Sequence, residues 1–394
     1  MIKDGRRLGT TVALSIFSFG TALGVGLYVY RFLWKNLAPN EFSTWFVIFE
    51  LSQFLLLLDF GFTHKFIAHS KRMVLNESVE ALNGLRFVLF VSAIAAAVGL
   101  LVITTFVETK NSYLNISFVC LSFSLFFNML GYAETAALRV QQKNNEINII
   151  AIASQVLFIL LIFIYSYNAS LAIGIAVLSR SFFVYAVQIF RVNQKYAPRW
   201  YKKNHFGGPV VVINLAYFIL FMLDAALLNV SLISTAIIAV FLVVKKYFDL
   251  LRALWDSILP NFYTRFLEDN DSRTYYFIVV LCAGSYILSV LLATWIIPIW
   301  LGLFAVEFKL YLAVGLSFFG ISIFRISTIR MYYKKNLNWK LIIGISIIVK
   351  LVFSAMIISE HSDISHAYLV QGLLLMGLIF SIEIFHRGMA AKFS

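Results

Sequence analysis

Apolar residues in this chain come in runs near the length a helix needs to cross the hydrocarbon of a bilayer, about 20 residues. Short polar connections separate the runs. The pattern predicts twelve spanning helices, at 9–33, 42–63, 85–107, 113–135, 147–167, 169–190, 209–230, 232–256, 276–301, 308–330, 339–359 and 364–386. The longest connections are 64–84, 191–208 and 257–275, and none can hold a soluble domain. The first run follows a charged head, "MIKDGRRLGTTVALSIFSFG", as a signal peptide would. It continues to about Val29 and no A-x-A-like site closes it, so it reads as a spanning helix.

Composition agrees with a polytopic membrane protein. The 394 residues are 61% hydrophobic and 13% charged, where a soluble chain carries about 25% charged residues. The 39 Phe and 19 Tyr suit lipid contact and interfacial belts. The net charge of +13 would suggest nucleic acid in a soluble protein. Here no basic, aromatic-interleaved surface exists outside the spans, so nucleic acid is not an expected partner. Taking the N-terminus as cytoplasmic, 26 Lys and Arg fall on that side, 4 on the other and 2 at mid-span. Arg86 is counted among the cytoplasmic loop residues. The outer four are Arg31, Lys35, Lys110 and Lys309; the mid-span two are Arg180 and Lys350. This alternation is the positive-inside bias, and a single wrong span would invert every later loop. Both termini are therefore expected inside.

A short repeat joins the two halves. "LRVQQKNNEIN" (138–148) links spans four and five, and "IRMYYKKNLNW" (329–339) links spans ten and eleven, 191 residues later. Six spans plus six, with like ends on one side, suggest parallel halves about an axis along the membrane normal. The expected organisation is a six-helix lobe over 1–190, a cytoplasmic linker over 191–208 and a second lobe over 209–394.

Charges inside spans are costly, and mark pathways or pairs. Asp59, behind "LLLL", reads either as a helix-end acid partnered by His64 or Lys65, or as a group at the mouth of a path. Asn214, Tyr217, Phe221 and Asp224 share one face of span seven, which should turn away from lipid. In span eight, Lys245, Asp249, Arg252 and Asp256 recur at spacings of four, three and four, an alternating-sign face with apolar residues opposite. That face is either a solvated helix end or the lining of a cavity. Arg180 and Lys350 each read as half of a structural pair or as a cation lining an anionic ligand's site.

Nothing in the chain points to an enzyme. P-loop, G-x-S-x-G and H-E-x-x-H motifs do not occur, so ATP hydrolysis is not expected. Cys120 and Cys282 lie in apolar runs and read as small buried hydrophobes. "EHSDISH" (360–366) gathers two acids and two His, but in a short loop without Cys it reads as a solvated turn. No metal and no cofactor is expected.

"LLLLDFGFTHKFIAHSKR" resembles the second helix of bacterial polysaccharide flippases, with Asp59, Phe60, Gly61 and Phe62 at the Asp-Leu-Gly-Leu positions. "GGPVVVINLAYFILFMLDAALL" is similar to their seventh helix, with Asp224 in a D-x-x-L-L place, and an eighth helix ending at Pro260 follows. The likeness extends over the chain in span count, orientation and spacing; the phenylalanines around Gly61 and the charged span eight depart from the pattern. The resemblance is to the O-antigen or capsule repeat-unit flippases of the multidrug/oligosaccharidyl-lipid/polysaccharide exporter superfamily. It implies an all-α fold of twelve transmembrane helices in two six-helix lobes around a central cavity, in the bacterial inner membrane. It implies that the chain carries an undecaprenyl-diphosphate-linked oligosaccharide, an O-antigen (lipopolysaccharide) or other surface repeat unit, to the outer leaflet by alternating access. A proton or sodium ion as coupling ion, membrane lipid, and polysaccharide polymerase and chain-length proteins are the implied partners. The candidate substrate-binding residues are Arg31, Asp59, Arg180, Asp224, Lys245, Lys246, Asp249, Arg252 and Lys350: cations for the diphosphate, carboxylates to hold them, bond sugar hydroxyls or exchange a proton.

Three other readings compete. A cation-coupled drug exporter of the same superfamily should have an acidic or apolar cavity, whereas mid-span cations favour an anion. A membrane glycosyltransferase or O-antigen polymerase needs a large outer loop, and even the longest outer connections are only about ten residues. A scaffold without transport has little use for charges inside its spans.

Overall fold

The computed structural model describes residues 2–59, 62–63, 66–67, 75–107, 111–192, 212, 215–217, 219–220, 224, 235–258, 272–301, 306–333, 339–358 and 363–390. Gly61, His64, Lys65, Asn214, Phe221, Pro260, Glu360, His361 and the 193–211 stretch lie outside them. Every described element is helical. Helices occupy Ile2–Asn36, Pro39–Leu55, Leu75–Thr105, Ser112–Val140, Asn144–Ile164 and Ala169–Val192, which are spans one to six. Thr235–Ile258, Ser272–Leu301, Phe308–Tyr333, Trp339–Ile358 and Ile364–Ala390 are spans eight to twelve. The described residues of span seven are helical too. Among the described residues, seven helices are long and apolar enough to cross a membrane, those of spans three to six, nine, ten and twelve. The protein is thus a multi-pass membrane protein.

Local chemistry sets the helix ends. Asn111 Oδ1 accepts the N–H groups of Tyr113 and Leu114 and starts span four. Asn168 Oδ1 accepts from Leu171 N–H at span six, and Asp363 Oδ1 from Ser365 N–H at span twelve. Pro39 opens span two, where its missing N–H costs nothing. Spans four and five reverse at Gln142, whose φ of 57° is left-handed. The reversal is pinned to the end of span six: Gln141 Nε2 donates to the Val192 carbonyl and Lys143 Nζ to that of Arg191.

The chain forms two compact units, Met1–Val211 and Val212–Ser394. In the first, span four packs most extensively on span six. Gly174 makes this possible, since a Cβ there would lie 2.7 Å from Ser117 Cα. In the second, span ten packs most extensively on span twelve. Gly372 sits where a Cβ would lie 2.8 Å from the Ser317 backbone nitrogen. Small residues that let helix backbones touch are the usual means of association inside a bilayer, where apolar burial supplies little force. Each unit repeats the same fourth-on-sixth arrangement, which supports the internal repeat. The outward faces are apolar: Phe90, Val91, Ile94, Val98 and Val102 form an exposed stripe on span three. Such a stripe suits lipid, not water.

Candidate functional site

In the first unit, Asp59 ends a 3-10 turn, Leu56–Asp59, that follows the second-span helix. Its Oδ1 accepts from the backbone N–H and the hydroxyl of Thr63, so it caps the next turn of chain. The carboxylate is almost buried, at 9% exposure. Arg31 lies exposed on span one, near the C-terminal end of its helix.

Arg180 lies within span six and is partly buried. Its guanidinium stands over the ring of Phe158 on span five, 5.8 Å from the centroid. That is its contact with another side chain among the described residues. The nearby polar groups of spans four and six bond to one another: Ser124 with Ser181, and Gln188 Nε2 to Thr135 Oγ1.

The most buried ion pair of this unit involves two residues that sequence reasoning missed. Arg86 Nε and Nη2 each donate at 2.7 Å to the two carboxylate oxygens of Glu134, and Nη1 donates to Asn83 Oδ1. The side chains are 1% and 0% exposed. Counting Arg86 among the loop cations is therefore corrected. The helix of span three begins at Leu75, so Arg86 sits three turns inside it. Glu50 of span two is likewise buried.

In the second unit, Asp224 and Lys350 form a salt bridge with each other. Asp224 is completely buried and Lys350 nearly so. Tyr368 O–H donates to the other oxygen of Asp224. Lys350 Nζ also donates to Gln371 Oε1, at 2.9 Å, and Gln371 Nε2 to Ser317 Oγ, at 2.7 Å. This is the pair that one of the two readings of Lys350 describes.

Span eight keeps its alternating charges, and the predicted i,i+3 pair of Asp249 with Arg252 is present. Asp249 accepts from Lys246 Nζ, three residues before it, and from Arg252, three residues after it. Lys245, the predicted i,i+4 partner, is 1% exposed. Residues three and four apart both neighbour one another on a helix, so sequence alone did not choose between them. Arg252 Nη1 donates to the Tyr217 hydroxyl oxygen at 3.0 Å, and its guanidinium lies 5.4 Å from that ring's centroid. Arg325 of span ten stands over the same ring at 4.3 Å. Tyr217 was legible as part of a polar face on span seven; its two arginines were not. The side chain of Asp256 lies outside the described residues.

Asp363, just before span twelve, pairs with Lys309 at 2.8 Å and caps that span. Partial burial pushes its carboxyl up, but the Lys309 ammonium and the Ser365 bonds hold it below the ordinary range. Among the described residues, no group of His, Cys, Asp and Glu has the geometry to hold a metal.

No family model matches the chain, and no curated protein matches it in sequence. Solved structures do match its fold. An outward-facing multidrug resistance MATE family transporter of the MOP superfamily aligns with a TM-score of 0.67 at 12% identity, over 97% of this chain and 95% of that one. The lipid II flippase MurJ, in an inward closed conformation, aligns at 0.65 and 14% identity, over 95% of this chain and 87% of that one. The Vibrio cholerae MATE transporter VcmN, in its bent form, aligns at 0.61 and 13%, over 97% and 96%. Two helical units, the fourth-on-sixth packing within each, and these alignments over nearly the full length agree: the chain has the fold of the MOP superfamily transporters.

Proposed function

We propose that the protein is a flippase for an undecaprenyl-diphosphate-linked oligosaccharide, an O-antigen or other surface polysaccharide repeat unit. It acts in the bacterial inner membrane with both termini cytoplasmic. It works by alternating access, with lobes over 1–190 and 209–394 joined by the 191–208 linker. A sugar diphosphate cannot cross hydrocarbon without a polar path, whereas its lipid tail stays in the bilayer. Arg180 carries this reading. A guanidinium inside a span is expensive, and an aromatic face offsets only about 0.5–2 kcal/mol of that cost. Arg180 has an aromatic face and no carboxylate among its described contacts. An anionic headgroup supplies what it lacks. Lys246, Arg252 and Lys245, in the cytoplasmic half of span eight, are the proposed entrance cations, with Asp249 holding two of them in place. Arg31 serves the outer end, and Asp59 shapes the inner mouth of span two. Asp224 and Lys350 are engaged with each other and are given no headgroup contact. The lipid II flippase among the structural neighbours is consistent with a lipid-linked substrate.

Arg180→Ala should abolish most surface polysaccharide in cells lacking the native copy, with membrane abundance near normal. Arg180→Lys should rescue in part, since an ammonium supplies charge without the bidentate fork. Normal polysaccharide in Arg180→Ala would refute the headgroup role. A second reading, a cation-coupled drug exporter, is favoured by the MATE neighbours, which are as similar in fold as the flippase. It predicts that Arg180→Ala leaves polysaccharide intact and changes drug resistance.

A further inference from the structure

The flippase reading leaves Asp224 and Lys350 without a task, yet they are the best-built polar cluster of the C-terminal unit. An ammonium has three donors and no acceptor. One donor of Lys350 goes to Asp224 and another to Gln371 Oε1 at 2.9 Å, while the Phe353 ring lies 4.3 Å from Nζ. Both oxygens are aimed from behind. Tyr368 O–H occupies Asp224 Oδ2, which leaves Oδ1 for the ammonium. Gln371 Nε2 donates to Ser317 Oγ, which turns its Oε1 toward Lys350. Spans seven, ten and twelve thus orient a carboxylate, an amide oxygen and their supporting hydroxyls around one positive charge, with an aromatic face from span eleven beside it.

A salt bridge alone requires two partners. Here the acceptors are preset by donors on other helices, as the ligands of a bound ion are set by groups behind them. We propose that this is a monovalent-cation site that the chain fills with its own ammonium. Tethering gives Lys350 a high effective concentration, so free sodium or potassium does not displace it. The C-terminal unit is therefore cross-linked by a cation it carries itself, and it needs none from solution. Without that ammonium, the same oxygens would hold an alkali cation or a small alkylammonium. The proposal is independent of what the protein transports.

The test uses the full-length protein in detergent: wild type, Lys350→Ala, and Lys350→Ala combined with Asp224→Asn. Thermal unfolding is followed in sodium, potassium, methylammonium and choline chloride at equal ionic strength. Choline is the bulky control. In Lys350→Ala the small cations should raise the unfolding midpoint by about 5 °C over choline, saturably. The wild type and the double variant should not distinguish these salts. A Lys350→Ala protein blind to the cation, or a response that persists in the double variant, would overturn the proposal. So would a sodium response in the wild type that Asp224→Asn abolishes. If Lys350→Ala is not recovered from membranes, Asp224→Asn with Lys350→Met decides. That pair leaves no charge in need of a partner and should reach wild-type abundance. Its loss would mean that the cluster holds the fold by its hydrogen bonds and shape, not as a seat for a cation.

Discussion

At the scale of single residues, the arginines Arg86 and Arg180 of the first unit part company. Arg86 is fully matched by Glu134, with parallel bonds of 2.7 Å from a side chain 1% exposed. Removing either partner strands a charge away from water, at a cost of about 3–5 kcal/mol. Arg86→Ala or Glu134→Ala should therefore deplete the protein from membranes and lower its unfolding midpoint. Arg86→Met with Glu134→Leu should restore most of both, because no unpaired charge remains. Polysaccharide output should follow abundance in all three variants, in contrast to Arg180→Ala, where it should fall alone. The sequence did not separate these arginines. The apolar run of span three starts at Leu85, which left Arg86 looking like its cytoplasmic flank, while the helix begins ten residues earlier, at Leu75. Glu134 lies in "NMLGYAETAALRV", where one acid near a helix end draws no notice. Pairing between helices is a tertiary fact with no local period. Asp224 and Lys350, 126 positions apart, could be flagged as costly but not matched.

At the scale of elements, glycine sets how closely helices approach. Gly372 meets the backbone of Leu316 and Ser317, which cannot swing aside as a flexible side chain would. Gly372→Ala should force spans ten and twelve apart and destabilise by about 1–3 kcal/mol. Gly174→Ala should do the same between spans six and four. Gly284→Ala is the control, with nothing within 4 Å of the added carbon, and should be neutral or slightly stabilising. Unfolding midpoints of the purified variants check all three. The outer end of the same span pair offers a pH prediction. The Asp363 carboxyl is held below its ordinary range in the folded protein. Its contribution is therefore present above the unfolded value, near 3.9, and is lost as pH falls through the folded value. Asp363→Asn should lower the midpoint slightly at neutral pH, and the gap should close in acid. The pair is half exposed, so the effect is small. Helix positions were legible because a bilayer imposes one length on every span. Span two shows the limit: its α-helix stops at Leu55 and tightens into a 3-10 turn before Asp59, inside an uninterrupted run of leucines. Hydropathy carries no signal for that change of winding.

At the scale of the whole molecule, the fold was legible because two patterns of different origin agree. Apolar run length counts the spans, and loop charge predicts which end of each lies in the cytoplasm. The repeated packing of fourth on sixth span within each unit adds a third, structural pattern. If each unit carries six spans with like orientation, the outer connections follow spans one, three, five, seven, nine and eleven. Reporter fusions after Lys35, Lys110 and Lys309 should then report the outer side, and fusions after Leu75, Trp200 and Lys335 the cytoplasm. The fusion after Lys309 is the most demanding. It lies beyond span eight, whose C-terminal half carries Lys245, Lys246, Asp249 and Arg252. If span eight did not cross, every later loop would invert, and Lys309 would report the cytoplasm. Its charges are compatible with crossing because they are satisfied within the unit: Asp249 binds Lys246 and Arg252, and Arg252 reaches Tyr217 of span seven. The same bonds predict a sharper result. Asp249→Ala strands two cations in the inner half of the span, so the outer signal at Lys309 should weaken in that background. It should recover when Lys246→Leu and Arg252→Leu are added. An unchanged signal in Asp249→Ala would show that packing against neighbouring helices, not charge pairing, carries this span across the membrane.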